Sequence, residues 1–314
     1  MSVFRQFASA WDKFFFGATS TVPIGIFRFA FGLLALVMYS IRAVNWKFYF
    51  TDEGFLPAAN ALEVLPEFHQ PLISWYPHSV GMTLAYQILL IVALVFLTLG
   101  VFGRVAAAVT FFLHVAFLQR NYTVGYGADF IATFAFFSLI FMDNSRSFSL
   151  TSWWASRSRR PLKPQSEASS IVSTMGMRLM QLQLCIVYGY TGMEKLKGAP
   201  WWDGTAVWSV IGNTQLMIFD LSWLKNFPMV IAFMTFLTLF FETYFPAMIW
   251  YRPIRKWVLL LGVGLHLGIT FTIGLFFFSF VMLAVYLLFI DETDYANAYA
   301  WLRGRRGHRG SLAR

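Results

Sequence analysis

The dipeptide Glu194-Lys195 lies at the end of a long apolar stretch and places an acid beside a base. Charged side chains are unfavourable in a membrane segment unless they are paired or reach water, so they mark candidate sites. A lysine in a desolvated pocket can act as a base. A lysine that extends to the interface and pairs with Glu194 or Asp203 is only an anchor. The residues alone leave both interpretations of Lys195 open.

A polar stripe leads to this pair along the same predicted helix. Gln181, Tyr188 and Lys195 recur at intervals of seven residues, and residues at that spacing stay on one side of a helix. Such a stripe predicts a face turned to the protein interior or to a cavity, where Tyr188 would line a substrate pocket. The other substrate-binding residues expected near this helix end are Trp201, Trp202 and Asp203.

Ionisable residues elsewhere in the apolar stretches are the remaining candidates: Arg28, His114, Asp129, Arg178, Glu242 and His266. We expect Asp129 and Glu242 to neutralise Arg28 or Arg178, because an unpaired charge in lipid is unfavourable. Arg28, Asp129 and Glu242 are also predicted to support the substrate pocket. His266 is either a packing histidine or a supporting catalytic group. A metal or haem site shared with His114 is a further alternative, but no metal motif is present and no metal is expected.

The elements that position these residues are predicted to be transmembrane helices. The chain of 314 residues is 58% hydrophobic and 12% charged, whereas roughly 25% of the residues of soluble domains are charged. Apolar runs of about 18 residues or more indicate bilayer spans. The predicted fold is therefore all-α, a polytopic transmembrane helix bundle of about eight spans. These cover residues 22–44, 82–102, 104–119, 128–143, 171–195, 228–250, 256–273 and 275–291.

The basic residues predict how this bundle is oriented. With both termini cytoplasmic, 16 of the 24 Lys and Arg residues fall in inside segments and five in outside segments, as the positive-inside rule requires. The candidate site then faces the extracytoplasmic side of what we expect to be a bacterial inner membrane. Residues 1–21 are predicted to be an interfacial segment, 22–291 the transmembrane domain and 292–314 a basic cytoplasmic tail. The net charge of +9 comes from these flanking residues and does not indicate nucleic-acid binding.

Segments along most of the chain, from about residue 20 to 291, resemble the horizontally transferred transmembrane (HTTM) domain family. The best-known relatives in that family are the vitamin K-dependent gamma-carboxylases. The similar segments are FRFAFGLLAL (27–36), FYFTDEGFLP (48–57), RNYTVGYGAD (120–129) with FMD (141–143), MQLQLCIVYGYTGMEKLKGAPWWDG (180–204), FETYFP (241–246) and LHLGITFTIGLFFFSFVMLAVYLLF (265–289).

The resemblance implies a role for Lys195. In the carboxylases, a lysine in the segment similar to GMEKL acts as a base on vitamin K hydroquinone, and Lys195 stands at that position. His266 falls on a histidine with a similar His-Leu context. The chain also departs from the carboxylase pattern. Glu194 replaces a second basic residue, Ala128-Asp129 replaces an expected histidine, and only some twenty residues follow the last span, in place of a large substrate domain.

Two functions of different classes are consistent with these residues and with the resemblance. The sequence leaves open whether the protein is an enzyme. As a gamma-carboxylase-like or quinol-dependent lyase or oxidoreductase, it would use Lys195 with Glu194 to deprotonate vitamin K hydroquinone, another quinol or another lipophilic substrate in an outer-leaflet pocket. As a non-catalytic membrane module, it would bind a secreted peptide or a thiol-oxidoreductase-like partner, or help to mature or export it. A transporter is a third alternative, which no internal repeat supports.

Overall fold

The computed structural model describes residues 3–64, 76–77, 79–158 and 170–310, and within these ranges it contains helices and loops but no strand. Residues 159–169 of the predicted transmembrane domain and residues 311–314 of the predicted tail lie outside the described residues. The helices are α1 (Val3–Phe16), α2 (Val22–Val44), α3 (Trp46–Phe50), α4 (Ala58–Val64), α5 (Val80–Leu99), α6 (Gly103–Arg120), α7 (Gly127–Phe141), α8 (Leu150–Arg157), α9 (Ile171–Lys195), α10 (Ala199–Trp202), α11 (Ala206–Ile211), α12 (Pro228–Met248), α13 (Arg252–Ile273), α14 (Phe276–Tyr286) and α15 (Glu292–Gly310).

Five of these helices, α2, α5, α9, α12 and α13, are long and apolar enough to cross a membrane. A sixth candidate is the bent pair that joins Phe276–Phe289 to Glu292–Trp301 at an angle of 102°. Helices α7 and α14 have 15 and 11 residues, fewer than the roughly 20 that span a bilayer. The all-helical, membrane-type fold is therefore confirmed, and the count of eight spans stays a prediction.

Polar residues at the helix ends explain where the apolar runs begin and stop. The Ser79 hydroxyl accepts a hydrogen bond from the backbone N–H of Met82 at the start of α5, and Ser170 does the same for Ser173 at the start of α9. Helix α5 ends at Gly100, whose φ of 70° is a left-handed conformation that glycine adopts without strain. These signals make the element boundaries readable from the sequence.

The bundle core forms where the long helices meet. Helix α9 packs on α12, α2 on α5, and α6 on α7, while α14 contacts α2, α7 and α9 and so lies inside the bundle. Buried aromatic rings join the helices, as where Phe31 packs 4.8 Å from Phe136. By contrast, α1 lies against α9 and leaves Phe4, Phe7 and Trp11 exposed; its placement at the membrane interface stays a prediction.

Candidate functional site

Lys195 forms an ion pair with Glu242 of α12. Its Nζ atom lies 2.5 Å from Glu242 Oε2, and the two side chains are 22% and 10% exposed. The Lys195 ammonium also lies 5.2 Å from the centre of the Trp201 ring, within the range of a cation–π contact. The lysine is therefore bound on two sides at the end of its helix but still partly reaches the surface.

Close packing of α9 and α12 brings this pair together. A β-carbon on Gly192 would lie only 2.7 Å from the backbone nitrogen of Thr243, so a larger residue at 192 would force the helices apart. Because Lys195 lies one turn beyond Gly192 and Glu242 adjoins Thr243, the narrow gap determines where the two charges meet.

Glu194 is directed away from Lys195. Its carboxylate accepts a hydrogen bond of 2.7 Å from Lys197, in a pair whose side chains are 44% and 70% exposed. This hydrogen bond raises the pKa of Lys197. The expected partner of Lys195 was Glu194 or Asp203, and the structure joins it to Glu242 instead, because consecutive residues of a helix do not face each other.

A hydrogen-bonded group of three side chains lies deeper in the bundle on the same helix face. The Tyr188 hydroxyl lies 2.6 Å from Nε2 of His266 on α13 and 2.6 Å from the hydroxyl of Tyr286 on α14. All three residues are buried. Further along the stripe, the Gln181 side chain is also buried and donates to the carbonyl of Leu288 at 2.6 Å. The prediction that Gln181, Tyr188 and Lys195 share an inward face is confirmed.

His266 retains an unused polar atom. The Nδ1 atom of its ring is buried and has no hydrogen-bond partner among the described residues. The whole residue is 1% exposed. Buried polar atoms are normally satisfied. The ring can therefore offer Nδ1 to a further polar group, while its Nε2 atom stays bound to Tyr188.

The two groups are connected through α12. Tyr188 and Lys195 are seven residues apart, which places them about 10 Å apart along the helix axis. Phe241 directly precedes Glu242 on α12, and Phe245 follows it three residues later. Their rings pack on the Tyr188 ring at 5.2 and 4.4 Å between centres. The Lys195–Glu242 pair and the Tyr188–His266 group are thus two polar groups on the same helix face, with aromatic residues of α12 packed between them.

The loop after α9 contacts Lys195 through one of its three predicted site residues. Trp202 is 62% exposed and donates its indole N–H to the carbonyl of Leu196 at 2.8 Å. The Asp203 carboxylate accepts from the backbone and hydroxyl of Thr205 at 3.0 and 2.5 Å. Of the predicted loop residues, Trp201 is the one that contacts Lys195, while Asp203 stabilises the turn.

A second buried charge pair lies between α2 and α7. Arg42 donates to both carboxylate oxygens of Asp129, at 2.6 and 2.8 Å. Next to it, His114 is bonded through Nδ1 to the Tyr39 hydroxyl and through Nε2 to Thr133 at 2.9 Å. Asp129 was expected to pair with Arg28 or Arg178, and its partner is Arg42. Arg42 was not among the predicted site residues, because no local pattern distinguishes it from an interfacial arginine.

Comparison with protein families identifies the chain. The family model described as the HTTM domain matches residues 16–293. The chain belongs to the HTTM domain family. Comparison with curated proteins and with solved structures finds no match. The matched range of the HTTM domain contains every site residue described above, so the resemblance stated from the sequence is confirmed at the level of the family.

Arg28 has a different environment in this HTTM protein from the one expected. It is fully buried and donates to the carbonyls of Leu97, at 2.9 Å, and of Thr98 and Phe148. Leu97 and Thr98 lie in the last turn of α5, where free carbonyls carry partial negative charge. The Arg28 guanidinium therefore stabilises the end of α5, and no contact links it to the Lys195 group.

The described part of the HTTM domain contains no group of three or more His, Cys, Asp and Glu residues that could hold a metal. His114 and His266 are bonded to separate tyrosines, Tyr39 and Tyr188. The two histidines therefore belong to separate hydrogen-bonded groups.

Proposed function

We propose that this HTTM protein is a membrane enzyme that uses Lys195 and Glu242 to accept a proton from a lipophilic substrate. The observation that carries the proposal is the 2.5 Å contact between Lys195 and Glu242 at the end of an apolar helix. The Tyr188–His266–Tyr286 group lies about two turns away on the same helix face. An acid and a base in such close contact, partly open to the surface, can exchange a proton and pass it on.

The pair provides the base as follows. The hydrogen bond between Lys195 and Glu242 provides the path along which their proton would move. When the proton moves from Nζ to Glu242 Oε2, Lys195 becomes a neutral amine. The amine then takes the proton of a substrate hydroxyl, so that an O–H bond breaks and an N–H bond forms. The lysine ends as an ammonium beside a substrate oxyanion, and the net charge of the site is unchanged.

The surroundings support a substrate that is aromatic and largely apolar. Trp201 lies beside the lysine, and Phe241 and Phe245 form apolar walls around the Tyr188 ring. The unpartnered Nδ1 atom of His266 can bind one further polar group. A quinol fits these features, and the family resemblance points to vitamin K hydroquinone or another quinol. When bound, it would supply an acidic hydroxyl and reducing equivalents, while the protein residues orient it and accept its proton.

The placement of this site in the cell is part of the same proposal. Both termini would be cytoplasmic, about eight membrane segments would lie within residues 22–291, and the Lys195 end of α9 would face the extracytoplasmic side of a bacterial inner membrane. The excess of basic residues in the inside segments supports this orientation.

The test uses the full-length protein in proteoliposomes with vitamin K hydroquinone in air. We expect turnover of the hydroquinone to fall by about 10²- to 10⁴-fold in Lys195→Met, the usual effect of removing a general base. Lys197→Met is the matched control, because its exposed lysine is two residues away and pairs with Glu194. Melting midpoints of both variants would establish that they are folded.

Turnover that persists in Lys195→Met, in a protein that melts like the wild type, would contradict the proposal. Absence of both turnover and hydroquinone binding in the wild type, with stoichiometric co-purification of a secreted peptide or a thiol-oxidoreductase-like protein, would favour the non-catalytic alternative.

A further inference from the structure

A second site lies at the other end of α9. Arg178 and Lys195 are 17 positions apart, which corresponds to about 25 Å along the helix. Beside Arg178 is an open cavity of about 760 Å³, lined by α1, the chain that joins α1 to α2, the part of α9 around Arg178, the start of α13 and the chain that joins α14 to α15. A cavity of this size is typical of a small-molecule site, and it is separate from the Lys195 group.

The cavity is lined by an excess of positive charge. Four basic residues, Lys13, Arg178, Arg252 and Arg255, line it, against the acidic residues Asp291 and Glu292. Asp291 already interacts with two of them, at 3.1 Å from Arg255 and 3.9 Å from Arg252. The cavity therefore carries more cationic groups than its own carboxylates can neutralise.

Arg178 is a half-buried basic residue in the wall of this cavity. It donates to the carbonyl of Phe14 at 3.0 Å and to the Gln181 side chain at 2.7 Å, both of which are neutral partners. Its guanidinium also lies 4.4 Å from the centre of the Phe14 ring and 5.9 Å from that of Trp250. A half-buried arginine in a cavity with an excess of basic residues is a suitable partner for a bound anion, and a phosphate matches the planar donor geometry of the guanidinium.

The remaining walls of the cavity are apolar. Phe14, Trp250 and Phe289 line it, with 5.1 Å between the centres of the Phe14 and Trp250 rings and 5.6 Å between those of Trp250 and Phe289. A free inorganic anion would make no use of these rings, whereas an amphiphile would contact both kinds of wall.

Helix α1 indicates where such an amphiphile comes from. Phe4, Phe7 and Trp11 are 78%, 63% and 50% exposed, and their spacing places them on one side of the helix. Exposed aromatic residues on a helix that lies against a membrane bundle are typical of the interface between lipid tails and headgroups. Phe14, near the end of α1, lines the cavity, so an interfacial α1 would place the cavity at the level of the lipid headgroups.

We propose that this cavity binds the phosphate headgroup of an anionic phospholipid. The phosphate would lie against Arg178, Arg252 and Lys13, and the start of the acyl chains would contact Phe14 and Trp250. Bound lipid would also hold α1 against α9 and α13, because the ligand contacts all three helices. The proposal does not depend on the function of the Lys195 group.

The experiment compares the melting midpoint of the detergent-purified full-length protein with added phosphatidylglycerol, phosphatidylcholine or inorganic phosphate at equal concentrations. We expect phosphatidylglycerol to raise the midpoint by about 3 °C or more, as a ligand that binds only the folded state does. Phosphatidylcholine and inorganic phosphate are expected to have much smaller effects. An equal effect of inorganic phosphate would overturn the lipid assignment in favour of a soluble-anion site.

Variants locate the effect in the cavity. Arg178→Gln and the double variant Lys13→Gln/Arg252→Gln should lose most of the phosphatidylglycerol shift. Lys256→Gln removes the same charge from an exposed residue of α13 that does not line the cavity, and it should keep the shift. If the cavity variants keep the full shift, or if Lys256→Gln loses as much as they do, binding is not in this cavity and the proposal is wrong.

Discussion

The hydroxyl of Tyr286 occupies the space next to Gly262 that any larger residue would need. A β-carbon on Gly262 would lie 2.1 Å from the Tyr286 hydroxyl and 2.7 Å from two of its ring carbons. Tyr286 cannot move away freely, because it is buried, bonded to Tyr188, and stacked on Phe245 at 6.0 Å between ring centres. Gly262 of α13 therefore determines the position of Tyr286 and of its hydrogen bond to Tyr188.

We predict that Gly262→Ala destabilises the protein by about 1–3 kcal/mol, the usual effect of overpacking a buried site. Gly264→Ala is the matched control, because a β-carbon there meets nothing within 4 Å and alanine favours a helix. Thermal unfolding of the detergent-solubilised protein would measure both. Equal melting midpoints for the two variants would show that the close contact does not constrain Tyr286.

Arg28 provides a second test of stability, because one guanidinium binds carbonyls of two chain segments. Leu97 and Thr98 end α5, and Phe148 precedes α8. Arg28→Lys keeps the positive charge but lacks the planar fork that reaches several acceptors at once. We expect a loss of at least about 2 kcal/mol, since buried carbonyls would be left unsatisfied.

The control for this prediction is Arg5→Lys, which changes an exposed arginine of α1 and should alter stability by no more than about 0.5 kcal/mol. The measurement is again the melting midpoint. An Arg28→Lys protein as stable as the wild type would mean that charge alone, without the fork, is sufficient at the end of α5.

Helix positions could be predicted from the sequence because hydrophobic runs and polar caps are local signals. The predicted spans 22–44 and 171–195 coincide with α2 and α9, each marked by a long apolar run. The inward stripe of α9 was also predictable, since the seven-residue spacing is a property of one helix. The number of membrane crossings is harder to predict, because α7 and α14 are shorter than a usual membrane-spanning helix.

Partners between helices could not be predicted, because they depend on how helices rotate and approach in three dimensions. Glu242 is 47 positions from Lys195, and Asp129 is 87 positions from Arg42. Both carboxylates were identified as residues that must be neutralised, but the sequence contains no local signal for which base each one meets. The close contact of Gly192 with Thr243, which brings Lys195 to Glu242, is likewise visible only in the structure.

The proposed orientation can be tested with introduced cysteines. Cys185, the only cysteine in the chain, is 6% exposed, so we expect the wild type to react slowly with a membrane-impermeant maleimide. Gln215→Cys, in an exposed loop before α12, should be labelled on intact cells. Ser158→Cys, at the end of α8, should be labelled only after permeabilisation. Labelling of Ser158→Cys on intact cells would reverse the proposed orientation.

The Arg42–Asp129 pair should be strongly coupled, because its carboxylate is 1% exposed and its guanidinium 14%. Asp129→Asn keeps the shape of the side chain but leaves the arginine charge without its partner, and we expect a loss of about 3–5 kcal/mol. Adding Arg42→Met removes that orphaned charge, so the double variant should be less destabilised than the sum of the single variants.

The control is the same cycle on the exposed pair Lys47–Glu53, with side chains 61% and 62% exposed, which should give a coupling below about 1 kcal/mol. Additive effects at Arg42 and Asp129 would show that water or lipid headgroups, rather than the two residues, neutralise each charge.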